Sequence, residues 1–442
     1  MHRGKRWVRA LACCLFFGSF AAPAWCQKIT NMERERAQGM LHEIAGDVKK
    51  HYYDPKFHGL DWDAKVREAK QKIDQSETSN RALSEIAALL DSLNDSHAYF
   101  VPPQHAYRHD YGWKAQLIGG RCYVVRVRPG SDAEAKGLKP GDEILTLNGF
   151  STNKDNLWRM EYVFNMLRPQ NSLHLNLRDP SGKERTIETV TRFKDRKRIA
   201  DLTGGGGGND IWELLREEEM EEHAGRARMT EFGDELTILK FPGFYFNESE
   251  IDTMIDKARK HKAFIIDLRE NPGGSVETLK DLVAGVFDRE VKMWDRVGRE
   301  EHKPMVAKAR GHHFEGKLIV LIDSRSASAA ELFARVIQLE KRGVVVGDTS
   351  SGSVMEAKHY NYQSGMDTVV FYAASITDAD LIMTDGKSLE HVGVTPDEVV
   401  LPTAPDLASG RDPALARAAE LAGVKLSPEA AGKLFPYEWP PQ

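Results

Sequence analysis

The sequence predicts a multidomain α/β protein, and three observations predict it. Residues 29–93 carry apolar side chains at helical spacing, Met40, Leu41, Ile44 and Val48 and then Leu83, Ile86, Leu89, Leu90 and Leu93. From about 111 to 192 the pattern changes to short alternating strands, Cys122–Val127, Glu143–Leu147 and Leu173–Leu177. From about 230 strands alternate with helices: Leu236–Leu239, Ile251–Lys260, Phe264–Leu268, Leu279–Phe287 and Leu318–Ile322. A chain of 442 residues also exceeds what one hydrophobic core organises.

Residues 1–26 read as a signal peptide. Arg3, Lys5, Arg6 and Arg9 precede the apolar run Ala10–Phe20, and Ala22-Pro23-Ala24-Trp25-Cys26-Gln27 is a small-residue exit. The run is too short for a comfortable membrane span, so an exported protein, periplasmic or extracellular, is expected, membrane-associated if the signal is retained. Cleavage would leave Cys122 as the single cysteine and no internal disulfide. The whole chain has a net charge of −5, and losing that basic segment makes the body more acidic. Such a body argues against nucleic acid as partner.

The division expected after the signal is a helical region over 27–105, a β-module over 111–194, a connector over 195–229, an α/β core over 230–405 and a helical tail over 406–442. The connector holds the glycine run Gly204–Gly208 and the acidic run Glu217-Glu218-Glu219-Met220-Glu221-Glu222. It lacks the Lys-Ser/Thr of a phosphate loop and reads as a hinge. Within the β-module, Ala133-Glu134-Ala135-Lys136-Gly137-Leu138-Lys139-Pro140-Gly141-Asp142 leads into a strand ending Leu147-Asn148-Gly149. This run closely resembles a PDZ domain. The resemblance implies peptide binding by strand addition at a sheet edge, with Leu117, Ile118, Gly119 and Gly120 as the carboxylate-holding loop. The other reading is that the module only braces the core.

Chemistry concentrates in the core. Ser326-Ala327-Ser328-Ala329-Ala330-Glu331 follows the buried-type strand Leu318–Ile322 and opens a helical pattern. A strand–turn–helix presents a hydroxyl at a helix N-terminus, where free N–H groups favour developing negative charge. In isolation the same residues read as a helix cap. Asp267-Leu268-Arg269-Glu270-Asn271-Pro272-Gly273-Gly274 ends another strand, and its glycines allow close backbone approach. Gly347-Asp348-Thr349-Ser350-Ser351-Gly352 and Gly393-Val394-Thr395-Pro396-Asp397 follow.

These four pieces in this order, behind a PDZ-like module, resemble the S41 family of serine peptidases, which includes the C-terminal processing and tricorn proteases. The resemblance implies a crotonase-like α/β catalytic core, a serine endopeptidase acting on protein or peptide substrates, and no cofactor. It makes Ser328 the nucleophile and the amides of Gly274 and Ala329 the oxyanion hole. Processing proteases place a lysine base 25 residues after the nucleophile, and Ser353 stands there. The tricorn branch is similar to Leu93-Asn94-Asp95-Ser96-His97 and implies His97 as the base, Ser96 orienting it, and Glu390 as a fourth member. A neutral imidazole takes a proton at neutral pH, where an ordinary lysine is protonated. Glu390 also reads as a loop carboxylate capping a strand end. His302 and His312-His313 lack a metal-binding pattern, and no metal is expected. Two rivals follow: a catalytically inactive PDZ-containing periplasmic peptide-binding protein, favoured by the missing lysine, and a core that binds a small acyl ligand. Oligomeric state is not legible.

Overall fold

The structure is a computed structural model, and it describes residues 28–195, 226–299, 301–365 and 369–439. The signal segment and the glycine-rich and acidic runs lie outside the described residues. The N-terminal region holds three helices, Asn31–His51, Trp62–Asp74 and Ser79–Asp91. Each starts on a side-chain cap, from Thr30, Asp61 and Thr78. Their apolar faces bury Met40, Ile44, Ile73, Ile86 and Leu90 together with Phe100, Tyr372 and Ile376 of a β-sheet. The helices are therefore packed onto the sheet that carries the His97 segment.

That sheet is antiparallel and runs Tyr99–Val101, Val370–Met383, Val291–Gly298, His302–Ala307, with Met355–Ser364 also paired to the long Val370–Met383 strand. Tyr99 lies opposite Ser375, Phe100 opposite Ala374 and Val101 opposite Ala373. This register locks the chain two residues beyond His97.

The β-module is the PDZ domain expected. Its sheet has the order Trp113–Ile118, Arg121–Val127, Glu143–Leu147, Ser172–Arg178, Glu184–Val190, with Phe150–Ser151 beside the third strand. Val124, Ala133, Ile144, Leu147 and Leu175 close its small core.

The α/β core is a six-stranded sheet: Arg228–Phe232, Leu236–Lys240, Ala263–Asp267, Lys317–Ile322, Gly343–Gly347, Glu398–Val399. All neighbours are parallel except the first pair. Every side chain of Ala263–Asp267 is buried, as a strand covered on both faces requires. The helices Val276–Ala284 and Ala329–Leu339 cover one face, where Phe264, Phe314, Phe333 and Trp294 form the largest apolar cluster. The tail covers the other with Ala414, Leu415, Ala418 and Ala419. It is not the continuous helical run that its composition suggests: Gly423 turns at φ 88° and Pro428 starts a second short helix, so Pro413–Leu421 and Pro428–Ala431 stand apart.

Candidate active site

Ser328 sits between the buried strand Lys317–Ile322 and the helix Ala329–Leu339, as that helix's N-cap. Its backbone lies at φ 55° and ψ −118°, a conformation costly for a residue with a Cβ. Such strain persists only where neighbours over-determine it, and that is a mark of functional turns. Here the Ser328 amide donates to the carbonyl of Ser353 at 2.8 Å and to the carboxylate of Glu331 at 3.0 Å. The turn before it is held by Ser326, which is fully buried and donates its hydroxyl to the Leu268 carbonyl at 2.8 Å.

The turn Glu270–Gly274 packs directly against Ser328. A methyl group on Gly273 would lie 2.6 Å from the Ser328 Cβ and 2.9 Å from the Ala329 nitrogen, so only glycine fits. Buried Asn271 organises both turns. Its Nδ2 donates to the Phe241 carbonyl and its Oδ1 accepts the Gly273 amide, each at 2.8 Å. Its carbonyl accepts the Ala327 amide at 2.9 Å. Gly274 adopts φ 137° beside the Phe244 backbone. Gly274 and Ala329 thus sit on two turns that Asn271 binds into one unit.

His97, Ser96 and Glu390 come together although 294 residues separate Ser96 from Glu390. The Ser96 hydroxyl lies 2.8 Å from His97 Nδ1 and donates to Glu390 Oε2 at 2.8 Å. With the Ser96 hydroxyl proton directed at Glu390 Oε2, Ser96 Oγ accepts from an Nδ1–H of His97, which leaves Nε2 with its lone pair. The Glu390 carboxylate also accepts the amides of Ser96 and Val354, each at 2.8 Å. Burial holds the His97 imidazole below the ordinary histidine value, against the opposing pull of Glu390 and Asp95. It is therefore neutral at pH 7, the form a base needs.

The loop Ser350–Val354, between the strands Gly343–Gly347 and Met355–Ser364, joins these groups. Ser353 O receives the Ser328 amide, while Val354, next in sequence, donates to Glu390. Glu331 is fully buried and accepts from Ser350 Oγ at 2.6 Å, Gly352 N at 2.7 Å and Ser353 N at 2.9 Å. Burial pushes its carboxyl up to about 7, more than those donors pull it down. Position 353, where a processing protease carries its lysine, thus touches the nucleophile turn with its backbone. Lys358 pairs instead with Asp378 at 2.8 Å.

Sequence reasoning did not single out Asp95, Asn271 or Gly273 as site residues. Asp95 is buried and accepts from the amides of His97 and Ala98 at 2.9 and 3.1 Å, from Thr377 Oγ1 at 2.7 Å and from the Tyr52 hydroxyl at 3.0 Å. Its place two residues before His97 was the available signal. The stretch Leu117–Gly120 forms the end of one PDZ strand and the turn after it. Leu117 O accepts the Ser324 hydroxyl, and the Gly119 amide donates to Asp348 at 2.8 Å. Two of these four residues thus bond the core rather than open space.

The family model for peptidase family S41 matches residues 235–400, that for the tricorn protease C1 domain residues 33–80, and that for the PDZ domain residues 109–178. The carboxyl-terminal-processing protease of Picosynechococcus is 24% identical over 82% of this chain and 83% of its own length. Carboxyl-terminal-processing peptidase 3 of Arabidopsis thaliana is 21% identical over 81% of this chain and 68% of its own. The tail-specific protease of Haemophilus influenzae is 26% identical over 69% of this chain, which spans only 43% of that protein. Among solved structures, mature CPAF in complex with lactacystin superposes with a TM-score of 0.63 at 17% identity, covering 85% of this chain and 96% of that one. That last likeness is one of fold. The N-terminal segment, the PDZ module and the core thus match a tricorn protease C1 model, a PDZ model and a peptidase family S41 model in the order expected, and the chain is similar to the serine peptidases of family S41.

Proposed function

We propose that this chain is an exported serine endopeptidase that cleaves protein or peptide substrates through an acyl-enzyme, with Ser328 as nucleophile and His97 as base. The observation that carries this reading is the bonded series Glu390–Ser96–His97, which leaves a neutral Nε2 as proton acceptor. Ser328 Oγ attacks the scissile carbonyl while His97 takes its proton. The tetrahedral oxyanion is held by the amides of Gly274 and Ala329, the latter at a helix N-terminus. The C–N bond then breaks as His97 returns the proton to the leaving amine, and water repeats the sequence on the ester. Glu390, acting through Ser96, keeps the imidazole in its productive tautomer and favours the imidazolium that forms. The PDZ module supplies a sheet edge for substrate tails.

The test is digestion of a peptide library by wild type and Ser328→Ala, read by mass spectrometry, with labelling by a serine-directed phosphonate. Cleavage and labelling by wild type, both absent in the variant, are expected. Labelling that survives Ser328→Ala overturns the assignment, and a wild type that binds peptides without cleaving them means a peptide-binding protein.

A further inference from the structure

The chain's last described residues lie across the PDZ module, far in sequence from it. The Tyr437 ring covers the Arg126 guanidinium at 4.2 Å and the Trp439 ring covers that of Arg128 at 4.6 Å. The two rings meet edge to face with centroids 5.1 Å apart. Upstream, Arg228 of the core donates to the Pro436 carbonyl at 2.8 Å and stands over Phe435. The segment is thus tied to core and PDZ at once, and it walls a cavity of about 360 Å³ together with Arg126 and Glu270.

Arg126 has a second partner. Its guanidinium grips the Glu270 carboxylate through both terminal nitrogens, one contact at 3.0 Å. Glu270 opens the turn that reaches Gly274, and it is held at φ 62°, a left-handed conformation unfavourable for a side-chain-bearing residue. Two contacts restrain it: Arg126 on its side chain, and Asp323 on its amide at 3.0 Å. Burial raises the Glu270 carboxyl, yet Arg126 and other cations hold it down at about 2, so the pair is ionised at every working pH. An aromatic ring laid over the guanidinium both attracts the cation and excludes water, which strengthens the ion pair behind it.

We propose that residues 435–439 are a strap that holds the Glu270–Gly274 turn in its catalytic geometry, through Tyr437 on Arg126 and Arg126 on Glu270. Tyr437 and Arg126 are positioning residues that act at a distance from the peptide bond. This inference rests on the oxyanion role given to Gly274, but the strap itself is testable without catalysis.

The experiment compares the full chain with Tyr437→Ala/Trp439→Ala and with the conservative Tyr437→Phe/Trp439→Phe. Hydrogen exchange of the amides of Glu270, Asn271, Gly273, Gly274 and Ser275 is measured first. Faster exchange in the double alanine variant and wild-type exchange in the double phenylalanine variant are expected, because phenylalanine keeps both stacks. Cleavage of a short, C-terminally amidated peptide is measured second. The alanine variant should lose about tenfold in kcat, about 1.4 kcal/mol of barrier, with KM within about twofold. The phenylalanine variant should retain wild-type kcat. Circular dichroism and melting temperature verify that both variants fold. Unchanged exchange in the folded alanine variant overturns the strap, as does a loss in KM alone. If wild type cleaves nothing, the protease reading fails while the exchange comparison still decides the strap.

Discussion

At the residue scale, the proposed site combines a strained serine with an imidazole kept neutral by burial and a carboxylate that reaches that imidazole through a hydroxyl. Because the base must be neutral and its value lies below that of an ordinary histidine, the acid limb of kcat/KM should fall below about pH 6.5. Glu390 opposes that shift, so Glu390→Gln should move the limb lower still and reduce kcat by about 10–100-fold. A limb that stays in place would separate Glu390 from the base. Ser96→Ala should lower kcat similarly with little change in KM, since it breaks the same relay. Glu331 has the opposite sign of linkage. Its carboxyl rises from an ordinary 4.5 to about 7 on folding, so the folded state binds its proton more tightly. Its contribution is fully present below pH 4.5 and is lost as pH rises to about 7, a swing of roughly 3 kcal/mol. Urea unfolding of wild type at pH 5 and pH 8 should show that loss, and Glu331→Gln should flatten the difference.

At the element scale, two turns and one strand end must hold their places to within a few tenths of an ångström. Gly273→Ala places a methyl group 2.6 Å from the Ser328 Cβ on a residue at φ 98°. The turn or the nucleophile must move. Stability should fall by about 1–3 kcal/mol, and phosphonate labelling should slow by at least about 100-fold. A variant that labels at the wild-type rate would show that the turns are not coupled. The His97 segment is held differently, by register. Tyr99–Val101 pairs with the long strand Val370–Met383, and Thr377 of that strand donates to buried Asp95. Thr377→Val leaves part of that carboxylate unpaired, a cost of about 1–3 kcal/mol, and should lower kcat through a loosened His97.

At the scale of the whole molecule, the PDZ module is bonded to the core close to the turns that carry Ser328 and Gly274. Gln116 donates to Asp323 at 2.7 Å, Arg325 donates to the Ala115 carbonyl and pairs with Glu161, and Arg126 grips Glu270. These ion pairs are partly exposed, so breaking each one costs about 1 kcal/mol. A peptide that shifts the module must therefore bind the shifted state better by at least that amount. We expect peptides with free C-termini to lengthen a probe distance between module and core and amidated ones to leave it unchanged. Arg325→Ala should enlarge the shift. Equal distances for both peptides in both proteins would make the module a brace.

The segment that carries the proposed nucleophile was legible in the chain because it is local. The strand Lys317–Ile322 is an apolar run, the helix Ala329–Leu339 has a helical stripe, and the polar turn between them ends on Ser328 at the helix N-terminus. Glu143–Leu147, Leu236–Lys240 and Ala263–Asp267 were legible for the same reason, each burying a pattern that its own sequence displays, whereas Gly343–Gly347 and Glu398–Val399 were not read as strands. The sheet that carries the His97 segment was not legible either, because Met355–Ser364 is largely polar and mostly solvent-facing, and its strand is defined by pairing along its length with Val370–Met383. Nor was the company of Ser96 and Glu390, which only the closing of that sheet onto the core brings into contact. Sequence alone determined which residues could do acid–base and nucleophilic chemistry, since that depends on side-chain type and nearby backbone. Tertiary structure alone decided which of them share a hydrogen bond and which carboxylates are buried enough to change their proton affinity, since both depend on desolvation and contacts made across hundreds of residues.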